Sequence, residues 1–247
     1  MRLLLGCNRL DLVGGSERYV ADLSRGLDRR GHEVCVITSR RGQDAGRNVI
    51  EIPGLFDEEA SPEALSVLER HLRDTSPDRV LLLSRSAPEV LRACSERAPT
   101  ARFVQDHTLF CPGMNKLHAD SSPCTDPMGS ACLKRFFFSD GCSGYHREGW
   151  RPALRWPLQK LKRHERDLEA HKQLDHLLVA SDYMRAELLT AGCDPARVER
   201  VGYFTRSAEP STPKGQLPED LAAFLAGRSE EHTSELQSRS DLVCRPL

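Results

Sequence analysis

Short apolar runs alternate with amphipathic stretches along most of this 247-residue chain. The runs are brief and apolar throughout, which is typical of strands in a sheet that helices cover on both faces. They predict strands at residues 2–5, 34–37, 48–52, 80–83, 102–105, 177–180 and 198–201. Because helical spacing fills most of the intervals, we expect βαβ units and a doubly wound parallel sheet of the α/β class.

Capping residues mark where several helices begin and end. Ser16 is a candidate N-cap for the first helix, and Gly31 is its candidate stop. Ser61 before Pro62 predicts the start of the second helix, because proline is favoured at the first helical position. Ser181 is a candidate N-cap near the end of the alternating region. Helical spacing predicts further helices at residues 88–97, 152–172 and 182–191.

In open parallel sheets, ligands bind in the loops beyond the carboxyl ends of the strands. The loop after the first strand ends in Gly14-Gly15, directly before a predicted helix. Glycine lets a ligand approach the backbone, and a helix N-terminus favours an anion such as a diphosphate. A plain tight turn is the alternative explanation of this pair. The pattern is not the G-x-G-x-x-G dinucleotide fingerprint, so it does not favour a dehydrogenase.

Two side chains suited to acid–base chemistry follow another predicted strand. Asp106 and His107 come directly after the strand at 102–105. A carboxylate and an imidazole at such a position can bind sugar hydroxyls or relay a proton. A structural histidine that is hydrogen-bonded to a loop carbonyl explains the spacing equally well.

Charge and apolar content narrow the function classes. The 35 Lys and Arg residues nearly cancel the 36 Asp and Glu residues, so no global basic field favours nucleic acid. No stretch approaches the ~20 apolar residues that span a bilayer. The apolar start of the chain is too short for a signal peptide. We therefore expect a cytoplasmic protein, in which the nine cysteines stay reduced.

Four cysteines fall in one polar segment rich in Gly, Pro, Ser and Asp: Cys111, Cys124, Cys132 and Cys142. Reduced thiols on a stretch with little apolar core predict a structural zinc site of four thiolates. Such a site has no open coordination position and does no chemistry. His118 and His146 are candidate substitute ligands. The spacings include no C-x2-C knuckle, so small buried residues are the alternative explanation.

The segment at 147–168 is a candidate membrane contact. Between residues 147 and 166 it carries seven basic side chains against two acidic ones, with a leucine face and two tryptophans nearby. Basic amphipathic helices with Trp lie on anionic membranes, here the inner face of the plasma membrane. A domain helix with a solvated charged face is the alternative.

Five segments of the chain together resemble glycosyltransferase family 4, which has the two-domain GT-B fold. VGGSERY at 13–19 and GHEV at 31–34 are similar to the "GG-x-E" and "GHEV" motifs at the start of that family. QDHTLFCP at 105–112 resembles the "HDH-xx-CP" segment of a bacterial subset that builds surface polysaccharides. VASDYM at 179–184 and VERVGYFT at 198–205 resemble its "VAS-x-YM" turn and its approach to the interdomain linker.

The resemblance implies the Rossmann-like N-terminal half of a GT-B fold, the half that holds the acceptor. It implies retaining transfer of a sugar from a nucleotide-diphospho-sugar to a glycan or lipid-linked acceptor, without a catalytic metal. In the family the Gly-Gly loop lies against the donor diphosphate, which corresponds to Gly14 and Gly15. Ser84, Arg85 and Ser181 follow predicted strands and are further candidates for binding the donor diphosphate or the acceptor.

The "HDH" position supplies the catalytic candidates Gln105, Asp106 and His107. The family often has His at the first of these positions, where it touches the transferred sugar. Gln105 can hydrogen-bond a sugar but cannot carry a proton near neutral pH. Either His107 carries the proton, or the bacterial subset does not need it.

The resemblance covers about residues 1–227 and sets the expected domain bounds. We expect an acceptor domain at 1–206 with a Cys-rich insert at 106–150, a linker at 207–221, and the first strand of a donor domain at 222–227. The sequence RSEEHTSELQS that follows matches the translation of a common sequencing adapter, so 228–247 is expected to be an assembly artefact. A real polar helix is the alternative. Without a donor domain to stabilise the leaving diphosphate, we expect the chain alone to be inactive.

Two other functions remain open from the sequence. The first is a non-catalytic binding module with a four-cysteine zinc site. Near-neutral charge and the lack of aromatic stacking motifs disfavour nucleic acid as its ligand. The second is another GT-B enzyme, such as an epimerase or a phosphorylase. The "GG-x-E" and "HDH"-like pair favours family 4 over these enzymes.

Overall fold

The computed structural model describes residues 1–11, 14–42, 48–138, 141–142, 144 and 155–203. Internal contacts divide the chain into a unit at Met1–Thr205 and a unit at Arg206–Leu247, and the described residues belong to the first. The predicted linker, donor-domain strand and adapter-like tail lie outside the described residues, as do His146 and residues 147–154. The predicted domain bounds therefore stay predictions.

Seven parallel strands form one sheet. They are β1 (Arg2–Leu10), β2 (Glu33–Arg41), β3 (Val49–Glu51), β4 (Arg79–Leu82), β5 (Thr100–Val104), β6 (His176–Val179) and β7 (Val198–Arg200). Their order is β3-β2-β1-β4-β5-β6-β7, and every neighbouring pair is parallel. The predicted doubly wound α/β sheet is confirmed.

Six α-helices and one short 3-10 helix accompany the sheet in the described residues. They are α1 (Gly15–Asp28), α2 (Pro62–Thr75), α3 (Pro88–Ser95), the 3-10 helix (His107–Leu109), α4 (Ser130–Phe138), α5 (Trp156–Lys172) and α6 (Asp182–Thr190). The residues described show no helix that is long and apolar enough to cross a membrane. Helix α4 was not predicted, because it lies in the polar segment that was expected to be irregular.

Two of the three predicted N-caps are confirmed. Ser61 Oγ accepts a hydrogen bond from the Ala64 amide at 3.1 Å, and Ser181 Oγ accepts one from the Met184 amide at 3.2 Å. The prediction for Ser16 is wrong: α1 already begins at Gly15, with Gly14 as its N-cap and no side-chain capping bond. A glycine N-cap costs only a few tenths of a kcal/mol relative to serine, so the N-cap can lie two residues before Ser16.

Alternate residues of the strands face two separate cores, as the pleat requires. Leu4 packs in a large cluster with α2, α3 and α6, whereas the next residue, Leu5, packs in a smaller cluster with Val20 of α1. All three side chains are at most 1% exposed. Both faces of the sheet are thus covered, and the edge formed by the carboxyl ends of the strands remains accessible to ligands.

Candidate functional site

The order of the strands creates a crevice between β1 and β4. From β1 the chain runs outward to β2 and β3, and it then returns to β4 on the other side of β1. The loops after β1 and β4 therefore leave the sheet in opposite directions. Such a switch point is where open α/β sheets bind their ligands.

A cavity of about 210 Å³ lies at this switch point. It is lined by Cys7, Asn8 and Arg9 of β1, by Ser16, Glu17 and Val20 of α1, and by Leu83 and Ser84 after β4. The amide of Asn8 donates a hydrogen bond to Ser84 Oγ at 2.7 Å, which ties the two strand ends together. Ser84, a candidate for binding the donor diphosphate or the acceptor, thus lines the cavity.

The cavity combines hydrogen-bonding groups with nearly balanced charge. It has the hydroxyls of Ser16 and Ser84, the guanidinium of Arg9 and the carboxylate of Glu17. Arg9 is paired with Asp11, which lowers the pKa of that carboxyl group through a direct hydrogen bond. Groups of this kind suit a neutral ligand with several hydroxyls, since each hydroxyl both donates and accepts.

Cys7 lines the cavity but is no candidate nucleophile. Its side chain is buried, and burial raises the pKa of the thiol to about 12. The reactive form of cysteine is the thiolate, which is scarce at neutral pH when the pKa is that high. The cavity therefore offers binding groups, and its thiol remains a small apolar contact.

Gly14 and Gly15 lie at the N-terminus of α1, beside this cavity. Gly14 is extended, with φ −118° and ψ −179°, so a left-handed turn does not explain the glycine there. A Cβ on Gly14 would lie 2.5 Å from Glu17 Oε2, whereas a Cβ on Gly15 would meet no atom within 4 Å. The backbone at Gly15 is therefore open to a ligand, as a diphosphate contact requires.

Asp106 and His107 lie one strand further along the same edge. They follow β5, which is the neighbour of β4, and adjacent strands are ~4.8 Å apart. The carboxylate of Asp106 accepts hydrogen bonds from the Thr108 amide at 3.0 Å and from the Thr108 hydroxyl, so it caps the 3-10 helix. Asp106 remains exposed, and Gln105 before it is half-buried.

The imidazole of His107 links the β5 loop to α6. Its Nε2 lies 3.2 Å from the hydroxyl of Tyr183, and its ring is 5.7 Å from the rings of Tyr183 and Phe110. A partner on one ring nitrogen selects the tautomer and the orientation of the imidazole. Nearby, the hydroxyl of Ser181 is already engaged as the N-cap of α6.

Arg85 has a different environment from the one expected. It does not line the cavity formed by the described residues; its guanidinium instead pairs with the carboxylate of Asp167 on α5, which is only 2% exposed. The backbone carbonyl oxygen of Asp167 lies 2.7 Å from Nδ1 of His171. Arg102 of β5 is fully enclosed close to this group, and burial lowers its pKa to about 10. The predicted ligand-binding residue Arg85 therefore braces α5 against the β4 loop.

The four predicted zinc ligands come together in space. Cys111, Cys124, Cys132 and Cys142 all line one small cavity beside α4. Among the residues that the structure describes, however, no group of three or more His, Cys, Asp or Glu side chains is arranged to hold a metal ion. The structure thus brings the thiols into one place without forming a metal site.

Sequence analysis missed Asn8 and Arg9 as lining residues. It ended the first strand at residue 5, because polar residues interrupt the apolar run. In the structure β1 continues, since Arg9 pairs with Arg40 and Leu10 with Arg41 on β2. The apolar run of the second strand is likewise followed by polar residues, including Arg40 and Arg41. This similarity could have indicated that both strands continue beyond their apolar runs and pair there.

A parallel sheet with a polar cavity at its switch point defines a Rossmann-like ligand-binding domain. The chain belongs to glycosyltransferase family 4, because residues 13–202 match the model of Glycosyltransferase Family 4. The match includes the Gly-Gly loop, the strands β2 to β7 and the loop with Asp106. No curated protein matches the chain.

Several solved structures are similar to the chain. WaaG, a glycosyltransferase involved in lipopolysaccharide biosynthesis, is 14% identical with a TM-score of 0.47, and the match covers 92% of this chain and 52% of WaaG. The lipopolysaccharide outer core galactosyltransferase WaaB is 9% identical with a TM-score of 0.46, covering 82% and 45%. UDP-GlcNAc 2-epimerase from Methanocaldococcus jannaschii is 12% identical with a TM-score of 0.45, covering 82% and 46%. The chain spans about half the length of these structures.

Proposed function

We propose that the chain is the acceptor-side domain of a glycosyltransferase. The whole protein would transfer a sugar, with retention of configuration, from a nucleotide-diphospho-sugar to a glycan or lipid-linked acceptor of a surface polysaccharide. The observation that carries this proposal is the polar cavity at the switch point between β1 and β4, in a chain of glycosyltransferase family 4.

The two sides of the cavity suit different parts of the reaction. The hydroxyls of Ser16 and Ser84 and the carboxylate of Glu17 can bind hydroxyl groups of a sugar. The open backbone at Gly15, at the N-terminus of α1, can approach the negatively charged diphosphate of the donor. The remaining donor contacts would come from a second Rossmann-like domain, in keeping with the half-length match. Alone, the chain would then transfer no sugar.

His107 is the proposed group for handling a proton or holding the transferred sugar. The hydroxyl of Tyr183 orients its ring, and the capping bonds of Asp106 fix the loop that carries it. Gln105 adds a hydrogen-bonding amide and no proton chemistry. Of the three catalytic candidates, His107 is therefore the one whose position and chemistry both fit.

The proposal is tested by incubating the whole protein with labelled nucleotide-diphospho-sugars and membrane extracts that contain acceptors. We expect label in a glycan or lipid fraction for at least one donor, and none when the present chain replaces the whole protein. Transfer by the chain alone would contradict the assignment of donor stabilisation to a second domain.

We also propose the peripheral membrane contact predicted at 147–168, which includes the start of α5, and we extend it to the neighbouring helix α4. Phe137, Phe138, Trp156 and Leu158 are 38–87% exposed. The rings of Phe136 and Trp156 are 5.6 Å apart, so these exposed side chains belong to packed, neighbouring helices. Exposed aromatic residues beside Lys and Arg favour an anionic membrane surface.

This contact predicts binding of the chain to vesicles that contain phosphatidylglycerol, with weaker binding as salt is raised. Phe138→Ser should reduce sedimentation with the vesicles, because Phe138 is 87% exposed. Tyr183→Ser removes an exposed ring elsewhere and should leave binding unchanged. Equal binding to neutral phosphatidylcholine vesicles, or none to either kind, would disprove the contact.

A further inference from the structure

Four separate pieces of chain deliver a thiol to the same small cavity. Cys111 follows the 3-10 helix, Cys124 lies in the next loop, Cys132 is in α4 and Cys142 lies beyond it. The cavity has a volume of about 10 Å³. That is close to the ~10–15 Å³ needed by one water-sized particle, so the cavity that the four cysteines help to line has room for a single small atom.

Apolar packing explains only part of why the thiols meet, although Phe110 and Met128 of the large core also line the cavity. The local hydrophobic cluster consists of Cys132, Phe136 and Cys142, with Leu133 packed against it. Two of its three buried members are therefore cysteines themselves. A polar segment with so small a core needs another source of stability, because long irregular segments are uncommon in compact domains.

Backbone links hold the pieces in register around the cavity. The amide of Cys124 donates to the carbonyl of Lys116 at 2.7 Å, and His118 forms a β-bridge with Cys142. Met114 and Lys116 have positive φ values of 73° and 56°, which are unfavourable for residues other than glycine. Such a conformation persists only where its surroundings impose it.

The charges around the thiols suit an anionic metal centre. Arg135 Nη1 donates a hydrogen bond to Cys124 Sγ at 3.4 Å. This guanidinium would offset part of the negative charge of thiolates bound to a divalent cation.

We propose that Cys111, Cys124, Cys132 and Cys142 bind one structural Zn²⁺ ion. Each thiol loses its proton on binding, and the four thiolates give the centre a net charge of −2 that Arg135 partly offsets. As the side chains stand, no described group is arranged to hold a metal ion, so the thiols would have to move to reach the ~2.3 Å Zn–S distance. The ion would secure the segment between β5 and α5, independently of the proposed transferase activity.

The direct test is the metal content of the full 247-residue chain after purification without chelators. We expect about one zinc per chain, with all four thiols protected from alkylation until a chelator is added. Cobalt should replace the zinc and give the absorption of tetrahedral thiolate coordination. Metal content near zero together with no cobalt uptake would overturn the proposal, as would disulfides that join these cysteines in freshly reduced and desalted protein.

Matched cysteine variants separate the site from general effects on folding. Cys124→Ser should abolish stoichiometric zinc, and it alters the only one of the four that is not buried. Cys35→Ser, at a half-buried cysteine of β2, should retain the metal. Arg135→Gln should weaken zinc binding roughly 10–100-fold, the range for outer-shell partners. Equal zinc in Cys124→Ser and in the unaltered chain would also overturn the proposal.

Discussion

In the whole protein, His107→Ala is expected to lower sugar-transfer turnover roughly 100-fold or more, the usual range for a lost acid–base group. The side chain lies at the carboxyl edge of the sheet and is oriented by Tyr183 at 3.2 Å. It contributes little to the core, since it is only half-buried. Unfolding by urea should therefore change much less than turnover. Tyr183→Phe should give an intermediate loss, because it releases the ring without removing it.

The neighbouring Asp106 allows a sharper separation of charge from structure. Asp106→Asn keeps a good capping residue for the 3-10 helix, whereas Asp106→Ala loses the cap at a cost of about 1 kcal/mol. If the carboxylate acts in the reaction, both variants should lose turnover. His176→Ala alters an exposed histidine at the opposite end of a strand and serves as the control. Unchanged turnover in the His107 and Asp106 variants would make this segment structural.

Acidification below pH 6.5 is expected to destabilise the folded chain strongly, because two histidines of α5 are buried. Burial, followed by nearby Arg side chains, lowers the pKa of His164 to about 4 and that of His171 to about 3. An unfolded histidine has a pKa of ~6.5. Between these values the unfolded chain binds protons that the folded chain does not. As the pH falls below 6.5, each histidine should thus lower the free energy of unfolding by about 1.4 kcal/mol per pH unit. Above pH 7 it should cause no loss.

Urea unfolding at intervals from pH 7.5 to pH 4.5 measures this dependence. His164→Gln should flatten the slope by the equivalent of one proton. A free energy of unfolding that is constant between pH 6.5 and pH 5 would show that these histidines are not held neutral.

The sheet and two helix starts could be predicted because their signals are local. Apolar runs located all seven strands, and Ser61 and Ser181 each cap a helix through a bond to an amide three residues later. The true length of β1 was hidden, because pairing with β2 maintains the strand through polar positions such as Arg9. Local sequence does not show which distant segments of the chain pair as neighbouring strands.

Long-range pairing also determines the surroundings of the candidate residues. The ion pair of Arg85, a candidate for ligand binding, could not be predicted because its partner Asp167 lies 82 residues away on a helix. The convergence of Ser84, Glu17 and Asn8 on one cavity likewise follows from the strand order, which the sequence did not supply. By contrast, the resemblance to the family correctly predicted that Gly14, Gly15 and Asp106 lie at the carboxyl edge of the sheet. Members of a family share a strand order, so a family motif carries information about topology.

The central claim is best tested by measuring two products of the whole protein in the same reaction. Sugar incorporated into the acceptor and nucleoside diphosphate released should appear in equal amounts, and both should fall together in His107→Ala. Release of nucleoside diphosphate without acceptor-bound sugar would indicate hydrolysis. An epimerised sugar that appears without any transfer would place the protein with the GT-B epimerases. Either result would contradict the assignment as a glycosyltransferase.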